Sequence, residues 1–353
     1  MRRAIILTAF ILACGGAAAE TPAETFQALA ADCAAKAAAA EQAATIAVKA
    51  KDGWLFFGPE LRHVSVGTFW GEAAPKVSRA PKPEEADPMP AILDFKDQLD
   101  KAGIELLLVP VPPKAIVYPD MVCDKVAAGP DCQVPRLDIH HQAFYKLLAE
   151  KGVKVLDIAP ALIAHRADAA GPMYCKQDTH WSAQACVLAA KLIAGDIKAR
   201  PWLKDVPKLQ LATADRPVEI TGDLWRALDD AALPKERLTL RVVSRADGQP
   251  VEPDRSSPLV LLGDSHALVF QAGNDMLATG AGLADQLAAE LGFAVDLIGV
   301  RGSGATPARI NFYRRSQGNA DYLACKKLVV WCMGAREFTE ASGWRKVPIR
   351  PAK

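Results

Sequence analysis

Apolar positions along this chain gather into short, nearly unbroken runs, and the stretches between the runs are apolar on one side only. Residues 104–111, 259–262, 294–300 and 327–333 are such runs, with 153–158 a more broken one. Runs of this kind fit strands buried on both faces. Between them, residues 91–102, 135–151, 182–199 and 275–291 predict helices. In the third of these, Ala183, Cys186, Val187, Ala190 and Ile193 recur at helical spacing. Strands alternating with helices imply βαβ units, whose right-handed crossovers cover both sides of a parallel sheet. The predicted fold class is therefore α/β, a three-layer sandwich around a parallel sheet. Ahead of this rhythm, residues 25–49 are rich in Ala, free of Gly and Pro, and predict a helix. Residues 53–58 predict a short strand, and 71–90, rich in Pro, Lys and Glu, a surface loop. Residues 200–257 interrupt the alternation with charges and prolines and read as an insertion rather than a second domain.

The N-terminus bears on compartment. Arg2 and Arg3 precede an apolar run over 4–14, followed by small residues ending in Ala17-Ala18-Ala19. That is the layout of a secretory signal peptide, and the run is shorter than the ~20 residues that span a bilayer. The expectation is a leader over 1–19 and a single domain over 20–353 located in the periplasm. Two other fates stay open: lipidation of Cys14, and a leader retained as a membrane anchor. No other run approaches spanning length.

Charge then excludes one class of partner. Lys and Arg number 42 against 41 Asp and Glu, so losing Arg2 and Arg3 leaves a net charge near −1. A near-neutral chain has no overall attraction for nucleic acid. Seven cysteines follow the leader: Cys33, Cys123, Cys132, Cys175, Cys186, Cys325 and Cys332. In an oxidising compartment some should pair, Cys123–Cys132 first and Cys175–Cys186 second. Cys325 and Cys332 bracket a strand that holds them roughly 23 Å apart, far beyond the about 7 Å that a disulfide tolerates. No Cys/His spacing points to zinc, and no cofactor motif occurs.

Two motifs carry chemistry. Leu261-Leu262-Gly263-Asp264-Ser265-His266 ends an apolar strand in a Gly-permitted turn with a serine on it. Ligands bind at the carboxyl ends of parallel strands, so Ser265 is displayed where a nucleophile is useful. The plain alternative is a serine capping a helix. Asp178-Thr179-His180-Trp181-Ser182 lies on the loop before the helix over 182–199. A carboxylate two residues from an imidazole on an extended segment lies on the same side, where it fixes the tautomer and leaves the other nitrogen as base. Alone, this is a capping Asp beside a surface His. Together, the motifs supply nucleophile Ser265, base His180 and orienter Asp178. The chain has six histidines; His63, His140, His141 and His165 sit in less suitable settings, and His266, adjacent to Ser265, is read as a pocket-lining residue.

These motifs resemble the SGNH hydrolase-like family of alginate O-acetyltransferases of the AlgJ/AlgX type. Further supporting pieces are Asp52-Gly53-Trp54-Leu55-Phe56, Pro113-Lys114 with Tyr118-Pro119, and Ile220-Thr221-Gly222-Asp223-Leu224. The resemblance covers roughly residues 50 to 340. In most SGNH enzymes the serine precedes the Asp/His pair; here it follows, implying the rearranged strand order of this family. The resemblance also implies an oxyanion hole built from a Gly and an Asn. Gly302, beside Arg301, is the candidate glycine. Gly334-Ala335-Arg336-Glu337 stands where the Asn would be, with Arg336 either a cationic donor or a structural partner of Glu337. Lys114 joins the candidate substrate-binding residues. Trp70, beside the Pro-rich loop, is a candidate to stack on a sugar, whereas Trp54, Trp181 and Trp331 read as core. The chain resembles the AlgJ type in lacking a carbohydrate-binding module after the domain.

The function implied is O-acetyl transfer to a polysaccharide such as alginate, with a membrane-bound O-acyltransferase as acetyl source and partner. Two alternatives stand beside it: a carbohydrate acetylesterase, which passes through the same acyl-serine, and a non-catalytic polysaccharide-binding scaffold of a secretion complex.

Overall fold

The computed structural model describes residues 21–317 and 321–350; the leader lies outside the described residues. Its centre is a five-stranded, all-parallel sheet. The strands are β1 (Glu105–Val111), β2 (Lys154–Val155), β3 (Leu259–Gly263), β4 (Asp296–Gly299) and β5 (Leu328–Gly334), in the order β2-β1-β5-β3-β4. β5 thus lies between β1 and β3, pairing along its whole length with β1 from Glu105↔Leu328 to Val111↔Gly334.

Strand side chains alternate between two cores, as a period of two requires. Leu107, Val109 and Val111 of β1, Leu259 and Leu261 of β3, and Leu328, Val330 and Cys332 of β5 share one apolar cluster. That cluster holds helices α1 (Pro22–Gln42), α5 (Ala183–Ile197) and α6 (Leu283–Leu291). Leu106, Leu108, Val260, Leu262, Val329, Trp331 and Met333 point the other way, into a cluster with α3 (Pro88–Lys101), α4 (Ile139–Glu150) and α7 (Thr306–Gln317). The short helix α2 (Gly58–Ser65) lies against α1 and contributes Leu61 and Val64 to the first core. The mixed α/β fold with a central parallel sheet is as the apolar runs predict.

Three departures from the expected elements stand out. The Ala-rich helix stops at Gln42 rather than running to 49, because the chain reverses at Ala44 (φ 51°) and residues Ala47–Lys49 pair antiparallel with Leu55–Phe57. The helix expected over 275–291 begins only at Leu283. Ahead of it Gly280 (φ 77°) turns the chain, and a Cβ at Gly282 would lie 2.6 Å from Gln271. The segment between α5 and β3 forms a long antiparallel hairpin, Leu211–Ile220 with Glu236–Arg245, around the short helix Asp223–Leu228.

The expected disulfides are absent: all seven cysteines among the described residues are free thiols. Cys123 is buried with its thiol toward Ala28 O of α1, while Cys132 is exposed on a separate turn. Cys175 aims its thiol at Trp181 O (3.7 Å) and is not bonded to Cys186 on α5.

Candidate active site at the carboxyl ends of the strands

Ser265 stands where β3 ends. The exit is tight: a Cβ at Gly263 would lie 2.0 Å from Cys332 O of β5, so only glycine passes. Asp264 then pins the turn, its Oδ1 accepting from His266 N (2.8 Å) and its Oδ2 from Gly334 N at the end of β5 (2.8 Å). Ser265 opens a single helical turn, and its carbonyl accepts from Leu268 N and Val269 N at 3.0 and 2.9 Å.

His180 comes from a loop pinched shut by the Tyr174↔Trp181 bridge and by Ser182 N donating to Met173 O (2.9 Å). Ser182 caps α5, accepting from Ala185 N. Trp181 is fully buried and its indole N–H donates to His266 O (3.0 Å), which fastens the histidine loop to the serine turn. His180 Nε2 lies 2.7 Å from Ser265 Oγ, and His180 Nδ1 lies 2.6 Å from Asp178 Oδ1. Asp178 Oδ1 also accepts from His180 N (2.9 Å), and Oδ2 from Asp223 N (2.8 Å). Every contact of this carboxylate is an N–H donor, which matches an ionised, acceptor-only group.

Electrostatics follow from those contacts. Burial works against charge on Asp178, but the His180 ring and the N–H donors outweigh it and hold the carboxyl well below its ordinary range. Burial likewise disfavours a protonated His180; the Asp178 carboxylate more than offsets this, and the net shift is upward. His266 sits 5.1 Å from His180, ring to ring, with opposite behaviour: burial, only partly opposed by Asp264, pushes it down to about 4. It is therefore neutral near pH 7, with Nδ1 toward Asp264 at 3.2 Å and Nε2 without a partner.

The other candidates divide. Arg336 is brought to the site: it is buried, its Nη1 has no hydrogen-bond partner, and the Glu60 carboxylate is 3.8 Å away. Gly334 leaves the room it occupies, since a Cβ there would lie 2.8 Å from Arg336 Nη1 and 3.2 Å from His266 Cε1. Glu337 is bonded instead to Ser303. Lys114 is corrected. It is 1% exposed and its ammonium donates to Leu55 O (2.7 Å), Asp178 O (2.8 Å) and Lys176 O (3.2 Å), which spends all three of its hydrogens on backbone. It is a strut under the histidine loop. Arg301 and Gly302 are exposed, and Arg301 forms a two-point ion pair with Asp275 (2.7 and 2.9 Å). Trp70 is half-buried against Phe69 and Phe144 (5.1 and 5.4 Å between centroids), so part of its ring is committed to packing.

Three groups went unassigned in the sequence. Asp223 meets Asp178 and Thr179. Glu236 accepts from Lys176 N and Gln177 N (2.9 and 3.1 Å). Glu60 accepts from Lys114 N (2.7 Å). The signal for Asp223 was its place in Ile220-Thr221-Gly222-Asp223-Leu224, a piece of the resemblance to which no role was attached. Asp178, His180 and Asp223 each offer one metal-ligand atom within 4.8 Å of the others. Asp178 and His180 already use those faces on each other and on Ser265, so a cation would have to displace these hydrogen bonds.

Residues 47–334 match the family described as "SGNH hydrolase-like domain, acetyltransferase AlgX". Among curated proteins, the chain is 25% identical over 237 residues to the probable alginate O-acetylase AlgJ of Pseudomonas syringae pv. tomato, covering 65% of this chain and 54% of that protein. It is also 25% identical over 163 residues to the alginate biosynthesis protein AlgX of Pseudomonas aeruginosa, covering 46% of this chain and 30% of that protein. The chain spans about half the length, or less, of the curated relatives it matches. Among solved structures it resembles the O-acetyltransferase domain of Pseudomonas putida AlgJ, with a TM-score of 0.60, 20% identity, and coverage of 83% of this chain and 92% of that one. P. aeruginosa AlgX follows at TM-score 0.58 and 18% identity, with coverage of 85% and 65%. Both likenesses bear on the fold.

Proposed function

This chain belongs to the SGNH hydrolase-like acetyltransferase family of AlgX and AlgJ, and from that premise we propose that it is an exported O-acetyltransferase acting through an acyl-serine on hydroxyls of an anionic exopolysaccharide such as alginate. The observation that carries the reading is the unbroken relay Asp178–His180–Ser265, with links of 2.6 and 2.7 Å.

In this mechanism His180 Nε2 takes the proton of Ser265 Oγ as the oxygen attacks the acetyl carbonyl of the donor. Asp178 holds the Nδ1–H tautomer and stabilises the imidazolium that forms. His180 returns the proton to the leaving group as the tetrahedral intermediate collapses to acetyl-Ser265. A sugar hydroxyl then attacks the acyl group, losing its proton to His180, and Ser265 leaves with that proton restored. Arg336 Nη1, buried and without a hydrogen-bond partner, is the side chain best suited to donate to the oxyanion. The domain would work in the periplasm, released by the leader or held by it, and receive acetyl from a membrane-bound O-acyltransferase.

The test uses purified protein, p-nitrophenyl acetate as donor and mannuronate oligosaccharides as acceptors, read by mass spectrometry. Acetylated sugar from the native chain and none from Ser265→Ala is expected. Free acetate without acetylated sugar would replace transferase by esterase. Equal acetylation by Ser265→Ala would discard the acyl-serine.

A further inference from the structure

The histidine loop is shaped less by the sheet than by the segment between α5 and β3. Gly222 comes so close that a Cβ there would lie 2.1 Å from Gln177 O and 3.0 Å from Asp178 Cβ. No side chain fits between the two backbones. The next residue, Asp223, then exchanges hydrogen bonds with the loop in both directions. Its N–H donates to Asp178 Oδ2 (2.8 Å), and its own Oδ1 accepts from Thr179 N (2.7 Å). Trp225 N closes the contact by donating to Gln177 O (3.0 Å). Each aspartate thus accepts a backbone N–H from the other's segment, and residues 177–179 are held by the segment around Asp223.

The clasp is anchored rather than free. Leu224 is fully buried with Ala47 and Leu55 in a small apolar cluster of its own, and Trp225 Nε1 donates to Leu233 O (2.8 Å). The same hairpin sends Glu236 to hold Lys176 N and Gln177 N. These contacts fix the direction in which Asp178 presents Oδ1 to His180.

We propose that Asp223 is a positioning residue of the acyl-transfer site: it locks the Asp178–His180 pair in register with Ser265 and adds a second carboxylate beside the imidazole. The inference rests on the acyl-serine reading. The groups facing His180 are Asp178 on its own loop, Asp223 from the segment after α5, Arg336 after β5, His266 on the serine turn and Glu60 of α2. Asp223 and Asp178 favour the imidazolium, and Arg336 opposes it. Removing the Asp223 charge should therefore lower the pH at which His180 becomes a base. Removing its side-chain bond to Thr179 N–H should loosen the relay, which costs rate without costing affinity.

Two variants separate these effects in the full chain, with p-nitrophenyl acetate as probe and Ser265→Ala beside them. Asp223→Asn keeps an acceptor for Thr179 N–H and removes the charge. The acid limb of its kcat/KM profile should move down by roughly half a pH unit or more. Asp223→Ala removes the acceptor for Thr179 N–H along with the charge while the backbone N–H to Asp178 stays, and kcat should fall on the order of 10-fold with KM within about twofold. If Asp223→Ala fails to fold, shown by a lost thermal transition, Asp223→Asn decides. Native kcat and an unmoved acid limb in the folded variants, with Ser265→Ala inactive, would overturn the positioning role alone. Full activity in Ser265→Ala would overturn the acyl-serine reading and this inference with it.

Discussion

Replacing Asp178 by Asn tests the relay at its most constrained point. The carboxylate accepts from His180 Nδ1 and His180 N through Oδ1, and from Asp223 N through Oδ2. All three partners are donors, whereas an amide has one accepting end. The lower-cost orientation keeps the amide oxygen on His180, where two donors converge, and turns the NH₂ toward Asp223 N–H. One partly buried backbone donor then loses its acceptor and faces another donor, at a cost of about 1–3 kcal/mol. Thermal unfolding should fall by a few degrees, at the ~2–4 °C per kcal/mol typical of larger domains. The rate should fall further than stability, because the charge that stabilises the imidazolium is gone. A drop of roughly 10³- to 10⁴-fold in kcat is expected, equivalent to about 4–5.5 kcal/mol of transition-state stabilisation. The assay is release of p-nitrophenol under saturating ester, with melting followed by circular dichroism on the same sample. A folded Asp178→Asn protein within about threefold of native kcat, beside an inactive Ser265→Ala, would refute the orienting role of Asp178.

Two further outcomes are expected. His180 must be neutral to accept the serine proton, and its proton affinity is raised above the ordinary 6.5 by Asp178; activity should therefore be full at higher pH and fall as pH drops, with a midpoint above 6.5, and a midpoint at or below that value in a kcat/KM profile would contradict the assignment. Lys114→Met strands three carbonyls that share one ammonium, so unfolding should come roughly 5–10 °C earlier for a loss of about 2–3 kcal/mol; an unchanged melt with a raised KM would instead return Lys114 to substrate binding.

What could be read in the sequence was local. The strands of the sheet stood out because parallel strands buried on both faces must be apolar at nearly every position, as in Leu106 to Val109. The Asp178–His180 pair was legible because its two members are two residues apart. The helix end at Gln42 was hidden by alanines that favour helix on both sides of the turn. Lys114 was misassigned because its three acceptors come from Leu55, Lys176 and Asp178, brought together only by tertiary folding. Cysteine spacing misled for the same reason: proximity along the chain says nothing of side-chain direction, and Cys123 points to α1. Asp223 lies 45 residues from Asp178, and its motif, Ile220 to Leu224, was legible as part of the resemblance but not as a partner of Asp178.

The position of β5 sets the order in which this molecule can be finished. β1 with β2 and β3 with β4 are formed from sequence made earlier, but the strand that joins the two pairs is the last one synthesised. Until residues 328–334 emerge, both inner edges stay open, and the turn bearing Ser265 lacks the Gly334 N–H that pins it through Asp264. Pairing Glu105 with Leu328 closes a loop of more than two hundred residues, a topology that folds slowly and leaves sticky strand edges exposed meanwhile. A chain cut just before Leu328 should accumulate as aggregate rather than as a smaller active domain.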